Sequence, residues 1–444
     1  MDSSVAAEPN IRVVKNATCT FCGCVCDDME LTVDLDQKRI TKAKNACVLG
    51  KAWFAEHSVD ESRPVAMIEG KEVSLDEAID EAAKILVNAR FPVIYGMSNS
   101  TSEAQRETVK MADLLSANVD STSSVCHGPT GMGLQGVGEP TTTLGEVKNR
   151  ADMIVYWGCN PSDCHPRLST HYAVNPKGMY IPNGRKDRTV INVDVRSTTT
   201  TNIADVFVQV KPGSDFELLW GLRILVRGGK LNPAFEEQTG VPIDVIENLA
   251  SRLMSCNYGI LFFGMGLTMT RGRHYNASAL HMLATDLNEH THFVVKPARG
   301  HGNVTGADTV MSWQTGYPFG INFNRGYPRH EPGEFTTTDI MSRGEADAAC
   351  IIASDPMANF AKPAIDHMKK IPMISFDPKP TPTSQAARVA FTTACYGINT
   401  PGTVYRMDDI PIPLRPAFES PFPSDLDILK PLVKRIRELK RAQY

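Results

Sequence analysis

Short apolar runs alternate with amphipathic stretches of helical length over most of this chain. Met29–Val33 alternates as a strand, and Asp34-Leu-Asp-Gln closes a turn behind it. Ser74-Leu-Asp-Glu77 has the form of a capping box, in which hydroxyl and carboxylate each satisfy a backbone N–H of the first turn. It predicts a helix to about Ala89, with Ala78, Ile79, Ala82, Ala83 and Leu86 on one face. Pro92–Tyr95 reads as a short buried strand and Ser102–Leu115 as the helix that follows. Strand, loop and helix in that order form the unit of a parallel sheet. Further strands are predicted at Asp152–Trp157, Thr189–Val193, Val206–Val210, Ile260–Phe263, Phe293–Pro297, Ala348–Ala353 and Ile371–Phe376. Helices are predicted from Asp215 to about Arg227 and near His274–Asp286. No internal repeat is visible in the residues themselves. Gly316–Gly333, rich in Gly, Pro and aromatics, predicts an ordered loop. From Tyr396 the chain turns Pro-rich and extended, and it closes with a basic helix, Leu429–Arg441. That helix is too polar to form a core alone and reads as a solvated face or a docking element.

Composition narrows the class without naming it. At 444 residues the chain is long enough for about three domains. An apolar share of 42% and a charged share of 22% are those of a soluble globular protein. The net charge of −4 offers nothing to a nucleic acid. No apolar run approaches the ~20 residues of a membrane span. Met1–Asn10 is polar and acidic, unlike a secretory signal. Five of the eleven cysteines crowd into Cys19–Cys47, which is metal-site spacing rather than a disulfide framework. A reducing cytoplasm is the expected compartment.

Cys19, Cys22 and Cys26 lie in one short loop that Gly23 helps to turn, and Cys47 returns after a predicted hairpin. Four thiolates suit a cubane iron–sulfur cluster, and close thiol pairs also suit zinc; the spacing leaves both open. Cys24, between two of them, reads as a bystander. Farther on, Cys126 stands beside His127, followed by Gly128, Gly131, Gly133, Gly136 and Gly138. The glycine run predicts a loop whose backbone approaches a bulky anionic group, and a thiolate suits a soft metal. The plain alternative is a buried structural cysteine beside a loop. Several strands end in polar residues, at Gly158-Cys-Asn160-Pro161 with His165, at Asp194-Val-Arg196 with Thr198, and at Gly264-Met-Gly266. Ligands of doubly wound folds bind at that carboxyl edge, where Asp194 suits a ribose hydroxyl. The alternative is that Asp194 and the threonines are turn and capping residues. Arg299 with Gly300, His301 and Asn303 reads as backbone nearing a ligand beside a fixed cation.

In number and order these segments resemble the bis-pterin molybdenum and tungsten oxidoreductases, over roughly Ala17–Ala390. The four-cysteine start looks like their cluster-binding segment. Gly158-x-Asn160-Pro161 with His165, Asp194-x-Arg196-x-Thr198, Lys211-Pro-Gly213-x-Asp215, Gly264-x-Gly266 and Arg299-Gly300 with Asn303 are similar to their cofactor loops. Within that family, Thr-Phe-Cys22-Gly-Cys24-Val-Cys26 and Ser-Val-Cys126-His127-Gly-Pro-Thr-Gly resemble the B-subunits of formylmethanofuran dehydrogenases. The resemblance implies an α/β fold with a small N-terminal iron–sulfur domain and two Rossmann-like parallel-sheet domains. About fifty residues follow Ala390, too few for the family's C-terminal β-barrel. The implied domains are 1–62 for the cluster, 63–130 with 300–400, 131–299, and a tail at 401–444 for subunit docking.

The resemblance further implies a 4Fe–4S cluster on Cys19, Cys22, Cys26 and Cys47. It implies tungsten or molybdenum on Cys126, two molybdopterin guanine dinucleotides and an inorganic sulfide. The reaction would be reversible reduction of CO2 to formate, with His127 and Arg299 beside the metal. Expected partners are a metallohydrolase-like subunit, a β-barrel pterin-binding subunit and polyferredoxin-type iron–sulfur subunits. Leu49 stands where relatives place a Lys, and the nearest is Lys51. The competing readings are another bis-pterin formate dehydrogenase, a scaffold subunit of a formyltransferase/hydrolase complex, and a zinc-binding α/β protein.

Overall fold

Val190, Ile191 and Val193 are buried on one short strand, on both of its faces. Burial on both faces is what a parallel strand covered by helices requires. The computed structural model describes residues 10–57 and 61–443. Most of the polar opening stretch, Met1–Pro9, therefore lies outside the described residues. The chain packs as two compact units: Met1–Ser124 with His301–Arg406 and Pro411–Tyr444, and Val125–Gly300 with Met407–Ile410.

The second unit holds a five-stranded sheet, parallel throughout. Its strand order is Val206–Gln209, Thr189–Asp194, Met153–Trp157, Tyr258–Phe263, His292–Pro297. Helices Asp215–Val226, Ile243–Ser255 and His274–Leu287 supply Leu218, Leu222, Leu249 and Leu280 to the core around Trp157 and Phe263. The chain builds outward from Met153–Trp157 on one side, then returns to its other side with Tyr258–Phe263. That reversal makes a topological switch point between the two strands, where open α/β sheets bind ligands.

The first unit carries a three-stranded antiparallel sheet of Ile11–Ala17, Met29–Asp34 and Arg39–Lys44. Its larger sheet has nine strands. The centre runs parallel in the order Asn118–Ser121, Pro92–Gly96, Ala348–Ile352, Met373–Asp377, Val389–Thr392, with antiparallel strands on both flanks. Ser74 and Glu77 form the expected capping box, and the helix behind it runs Leu75–Asn88. Within Gly316–Gly333, Ile321–Asn322 and Arg329–His330 pair and extend the sheet beside Asn118–Ser121.

The closing helix differs from its expectation. It starts at Asp425, under a Ser424–Asp427 capping box, and continues through Pro431 to Ala442. A proline inside a helical pattern reads as a break, which hid the first turn. Ile428, Leu429, Leu432, Val433 and Ile436 are buried, and the helix packs against Leu75–Asn88 and Ser102–Leu115. Arg435 pairs with Asp80 at 2.6 Å and Lys440 Nζ donates to the Leu114 carbonyl at 2.7 Å. One face of this helix is thus core of its own unit. Among the described residues, no helix is long and apolar enough to cross a membrane.

Candidate active site and cofactor cradles

The glycine run after Cys126 is not a loop. Gly128–Val137 is an α-helix with Pro129 in its first turn, where a missing N–H costs nothing. Gly133 explains part of the pattern: a Cβ there would lie 2.9 Å from the Ala277 Cβ. Its bare backbone lets this helix seat closely on His274–Leu287. The expectation of a loop is overturned: the run is helical, and helix packing at Gly133 also demands glycine.

Cys126 sits just ahead of that helix and is 8% exposed. Thr268 Oγ1 donates to its carbonyl at 3.4 Å. His127 is buried, with Nδ1 3.0 Å from Thr130 Oγ1, and its ring also hydrogen-bonds the Ala298 carbonyl. Burial, then the Arg299 charge, push its pKa down to about 3, so the imidazole is neutral. His165 is buried too; its Nε2 donates to the Arg299 carbonyl at 2.6 Å and Nδ1 lies 3.0 Å from Cys164 Sγ. Burial also lowers its pKa. Two neutral imidazoles therefore hold the consecutive carbonyls of Ala298 and Arg299, just past the strand His292–Pro297. The second unit thus brings Cys126, His127, His165 and Arg299 together.

At the switch point the glycines meet backbone to backbone. Gly158 has φ +55°, and a Cβ on it would fall 2.6 Å from Leu267 N. Cβ atoms on Gly264 and Gly266 would come within 2.6 Å of Cys159 and Gly158. Gly266 N donates to Gly158 O at 2.9 Å. Asn160 Oδ1 accepts from Thr199 Oγ1 at 2.8 Å and Thr200 Oγ1 at 2.6 Å, and its Nδ2 donates to Asp163 at 2.7 Å. Pro161 opens a short turn of helix behind it. Asp194 accepts from Val195 N at 2.8 Å, while Arg196 is exposed and Thr198 N donates to Thr201 Oγ1 at 2.9 Å. Gly213 has φ +80° ahead of Asp215. One Asp215 oxygen accepts from Trp157 Nε1 at 2.9 Å; the other is buried without a partner. Burial raises the Asp215 pKa to about 6 and also raises that of Asp194. A buried carboxylate oxygen awaiting a donor suits the N–H groups of a nucleotide base, so this loop set fits the nucleotide end of a pterin cofactor. Gly300 is exposed with open space about it. Asn303 belongs to the first unit, where it is buried. Its amide donates to the Ser100 carbonyl at 2.7 Å and accepts from Tyr405 N at 2.7 Å.

In the first unit, Cys19 N donates to Cys26 O at 2.9 Å and Val25 N to Cys22 O at 3.0 Å, closing the thiol loop. Cys47 caps the helix Val48–Glu56, its sulfur accepting from Gly50 N at 3.4 Å. A Cβ on Gly50 would lie 3.2 Å from Cys19 Sγ and 3.8 Å from Cys47 Sγ. Cys24 is buried, and its thiol hydrogen-bonds that of Cys22. Among the described residues, no group of three or more His, Cys, Asp or Glu side chains closes around a single metal ion. The donor set is four soft sulfurs, one already receiving a backbone N–H, which is the ligand chemistry that a thiolate-bound cluster uses.

The structure adds residues that the sequence pattern passed over. Asn160 at the Asn160–Pro161 step has φ −120° and ψ 72°; Asp355 before Pro356 has φ −123° and ψ 72°. Thr383 Oγ1 donates to Asp355 Oδ1 at 2.6 Å, as Thr200 does to Asn160. Met357 N donates to Thr383 Oγ1 at 3.1 Å, as Ser162 N does to Thr200 at 3.2 Å. The strand ends Asp194-x-Arg196-x-Thr198 and Asp377-x-Lys379-x-Thr381 correspond as well. The chain carries an internal repeat after all, one copy per unit. Its signal was present as Asp-x-(Arg/Lys)-x-Thr, but two short matches in unlike contexts do not stand out without the backbone. A second omission is Lys296, buried in the second unit and bonded to Asp409 at 3.2 Å, with Glu139 at 3.9 Å.

No protein-family model matches the chain. It is 43% identical, over 97% of its length and all of the relative's, to the B-subunit of the tungsten-containing formylmethanofuran dehydrogenase 2 of Methanocaldococcus jannaschii. The chain belongs to the family of formylmethanofuran dehydrogenase B-subunits. Formate dehydrogenase H of Escherichia coli is 28% identical to this B-family chain over 50% of its length and 34% of that enzyme's. The fold is also that of a chain in the formyltransferase/hydrolase complex of Methylorubrum extorquens, solved with methylofuran. That likeness has a TM-score of 0.70 at 23% identity and covers 85% of this chain and 99% of that one. The B-family chain therefore has oxidoreductases among its relatives and an α/β fold shared with a chain of a multi-subunit complex.

Proposed function

We propose that this B-family chain is the catalytic redox subunit of a formylmethanofuran dehydrogenase. It would reduce CO2 reversibly to formate and pass the formate to a partner subunit for condensation with methanofuran. The observation that carries the reading is the 43% identity over 97% of the chain, combined with Cys126, His127 and Arg299 meeting in one unit. Cys126 would ligate tungsten or molybdenum held by two pterin guanine dinucleotides and a sulfide. Cys19, Cys22, Cys26 and Cys47 would hold a 4Fe–4S cluster. When bound, the metal group supplies the exchange of two electrons with CO2.

The chain's own residues supply the rest. Arg299 places a guanidinium where negative charge develops on the substrate, a stabilisation that is strong in a site closed to water. His127 is neutral and engaged at Ala298; it keeps the following arginine in place rather than carrying charge itself. His165 does the same one carbonyl later. Gly158, Gly264 and Gly266 keep the switch point narrow, and Asp194 and Asp215 accept from ribose hydroxyl and base. The repeat at Asp355 and Asp377 supplies a second loop set, which matches a requirement for two nucleotides.

Cys126→Ser in the native complex tests this. Dye-coupled formate oxidation is expected to fall at least ~10³-fold with loss of the bound heavy metal, and Arg299→Lys to cost ~10²-fold with the metal retained. Full activity in Cys126→Ser would contradict the assignment. The likeness to the formyltransferase/hydrolase complex favours a scaffold role as the second reading. Such a subunit would have no use for Cys126 or the four cluster thiols, and this chain keeps all five.

A further inference from the structure

Two long helices of the first unit, Ser102–Leu115 and Asp425–Ala442, begin at the wall of one cavity of about 350 Å³. Helix N-termini ordinarily draw anions, but end N–H groups here already have acceptors. Thr101 Oγ1 accepts from Ala104 N at 3.4 Å, and Ser424 Oγ from Asp427 N at 3.2 Å. The residues that line the cavity include four carboxylates, Glu103, Glu419, Asp425 and Asp427, and no Lys, Arg or His. Glu103 accepts from Thr403 N at 3.0 Å and Asp427 from Ser424 Oγ at 2.6 Å, while Glu419 is exposed. Asp425 differs from these three. It is 8% exposed, its Oδ2 accepts from Ser100 Oγ at 2.5 Å, and the Thr393 hydroxyl approaches the same carboxyl. Its Oδ1 is buried with no hydrogen-bond partner. Thr400, 5% exposed, lines the same cavity, and its Oγ1 is likewise buried without a partner. Burial raises the Asp425 pKa to about 6, which leaves the group mostly ionised at neutral pH.

The charge of the wall selects a cation, and both unpartnered oxygens can accept, so the ligand that satisfies them is a donor. Ala394, Pro401, Phe422 and Leu426 give the cavity an apolar side that suits a few methylene groups. A bare metal ion fits less well. A volume of about 350 Å³ far exceeds one ion, and among the described residues no group of three or more His, Cys, Asp or Glu could hold one.

We propose that this cavity binds a primary alkylammonium group on a short methylene stem, its N–H groups donating to Asp425 Oδ1 and Thr400 Oγ1. The group belongs either to a free amine or to a lysine side chain of a neighbouring subunit; the chemistry of recognition is the same. The site stands on the first unit alone and does not rest on the redox reading given above.

The test measures binding of n-butylamine by calorimetry, with n-butanol as the uncharged control, to the purified full chain and to the native complex. The full chain is expected to bind butylamine saturably and to ignore butanol. Asp425→Asn is expected to raise the butylamine Kd at least ~10-fold and Thr400→Val ~3-fold, because a bond from a charged donor to a carboxylate outweighs one to a hydroxyl. Glu419→Gln, an exposed change, is expected to raise it only ~2-fold. Near-ultraviolet circular dichroism checks that each variant folds; if Asp425→Asn does not, Thr400→Val and Glu419→Gln decide. Binding by the native complex as well identifies a free amine as the ligand. Binding by the full chain but not by the complex identifies a lysine of a neighbouring subunit. The site is overturned if the full chain shows no saturable binding, if butanol binds as well as butylamine, or if the folded variants keep the wild-type Kd.

Discussion

The two units build one loop on the same backbone with different chemistry. In the second unit the strand Met153–Trp157 runs into Gly158-Cys-Asn160-Pro161; in the first, Ala348–Ile352 runs into Ala353-Ser-Asp355-Pro356. Gly158 and Ala353 both take positive φ, +55° and +49°. The neutral amide of Asn160 becomes the carboxylate of Asp355, and Arg196 becomes Lys379. Asp194 is raised by burial, whereas Asp377 is pushed up to about 7 by burial, with the Asp425 and Asp355 charges adding to it. A topology can therefore preserve a loop's shape while its charge drifts, because shape is held by the Thr-to-Asn or Thr-to-Asp bridge. On the proposed function, the two nucleotide ends would meet unlike electrostatics in matching cradles.

The positive-φ pair gives the largest effect. Gly158→Ala drives a Cβ to 2.6 Å from backbone and is expected to cost about 2–4 kcal/mol in unfolding free energy. Ala353→Gly removes left-handed strain of about 1–2 kcal/mol but adds roughly 0.5–1 kcal/mol of backbone entropy, for a small net gain. Chemical denaturation of the two variants checks the contrast; equal losses would break the correspondence.

The threonine bridges come next. Thr383→Val removes a hydrogen bond to a carboxylate, about 1.5–3 kcal/mol, and Thr200→Val one to an amide, about 0.5–1.5 kcal/mol. A larger loss at Thr200, measured in the same way, would mean that the bridge to Asp355 does not act as a charge-assisted bond.

A pH dependence completes the comparison. A carboxyl group whose folded pKa is raised binds more protons folded than unfolded. Its contribution therefore falls as pH rises from the unfolded value near ~3.9 to about 7 for Asp377. Asp377→Asn is expected to raise Tm relative to wild type at pH 8 and to change it little at pH 4. Asp194→Asn should show the same sign with a smaller difference. A wild-type-like pH profile in Asp377→Asn would show that this burial is not felt.

Much of the parallel-sheet fold was legible because buried parallel strands are short apolar runs and their helices carry a clear face. Ser102–Leu115 and the Ser74–Glu77 box are cases where local pattern and packing agree. What failed was any reading that took one residue type for one purpose. The glycines after Cys126 serve helix contact at Gly133, and Pro431 lies within a helix that its neighbours on the first unit stabilise. Sequence placed Cys126, His127, His165 and Arg299 as candidates, but only the fold shows that the two imidazoles grip consecutive carbonyls. The second loop set was missed because Asp355 and Asp377 look like ordinary turn residues until their backbone is compared with Asn160 and Asp194.

On the proposed function, Cys126 serves a tungsten or molybdenum redox centre, supplied by a four-thiol cluster. Elemental analysis of the native complex, purified without oxygen, tests it most directly. Near-stoichiometric tungsten or molybdenum per chain is expected, with iron at or above the four atoms that one cubane needs (~4 per chain). Zinc alone, with neither heavy metal, would contradict it and return Cys126 to a structural role.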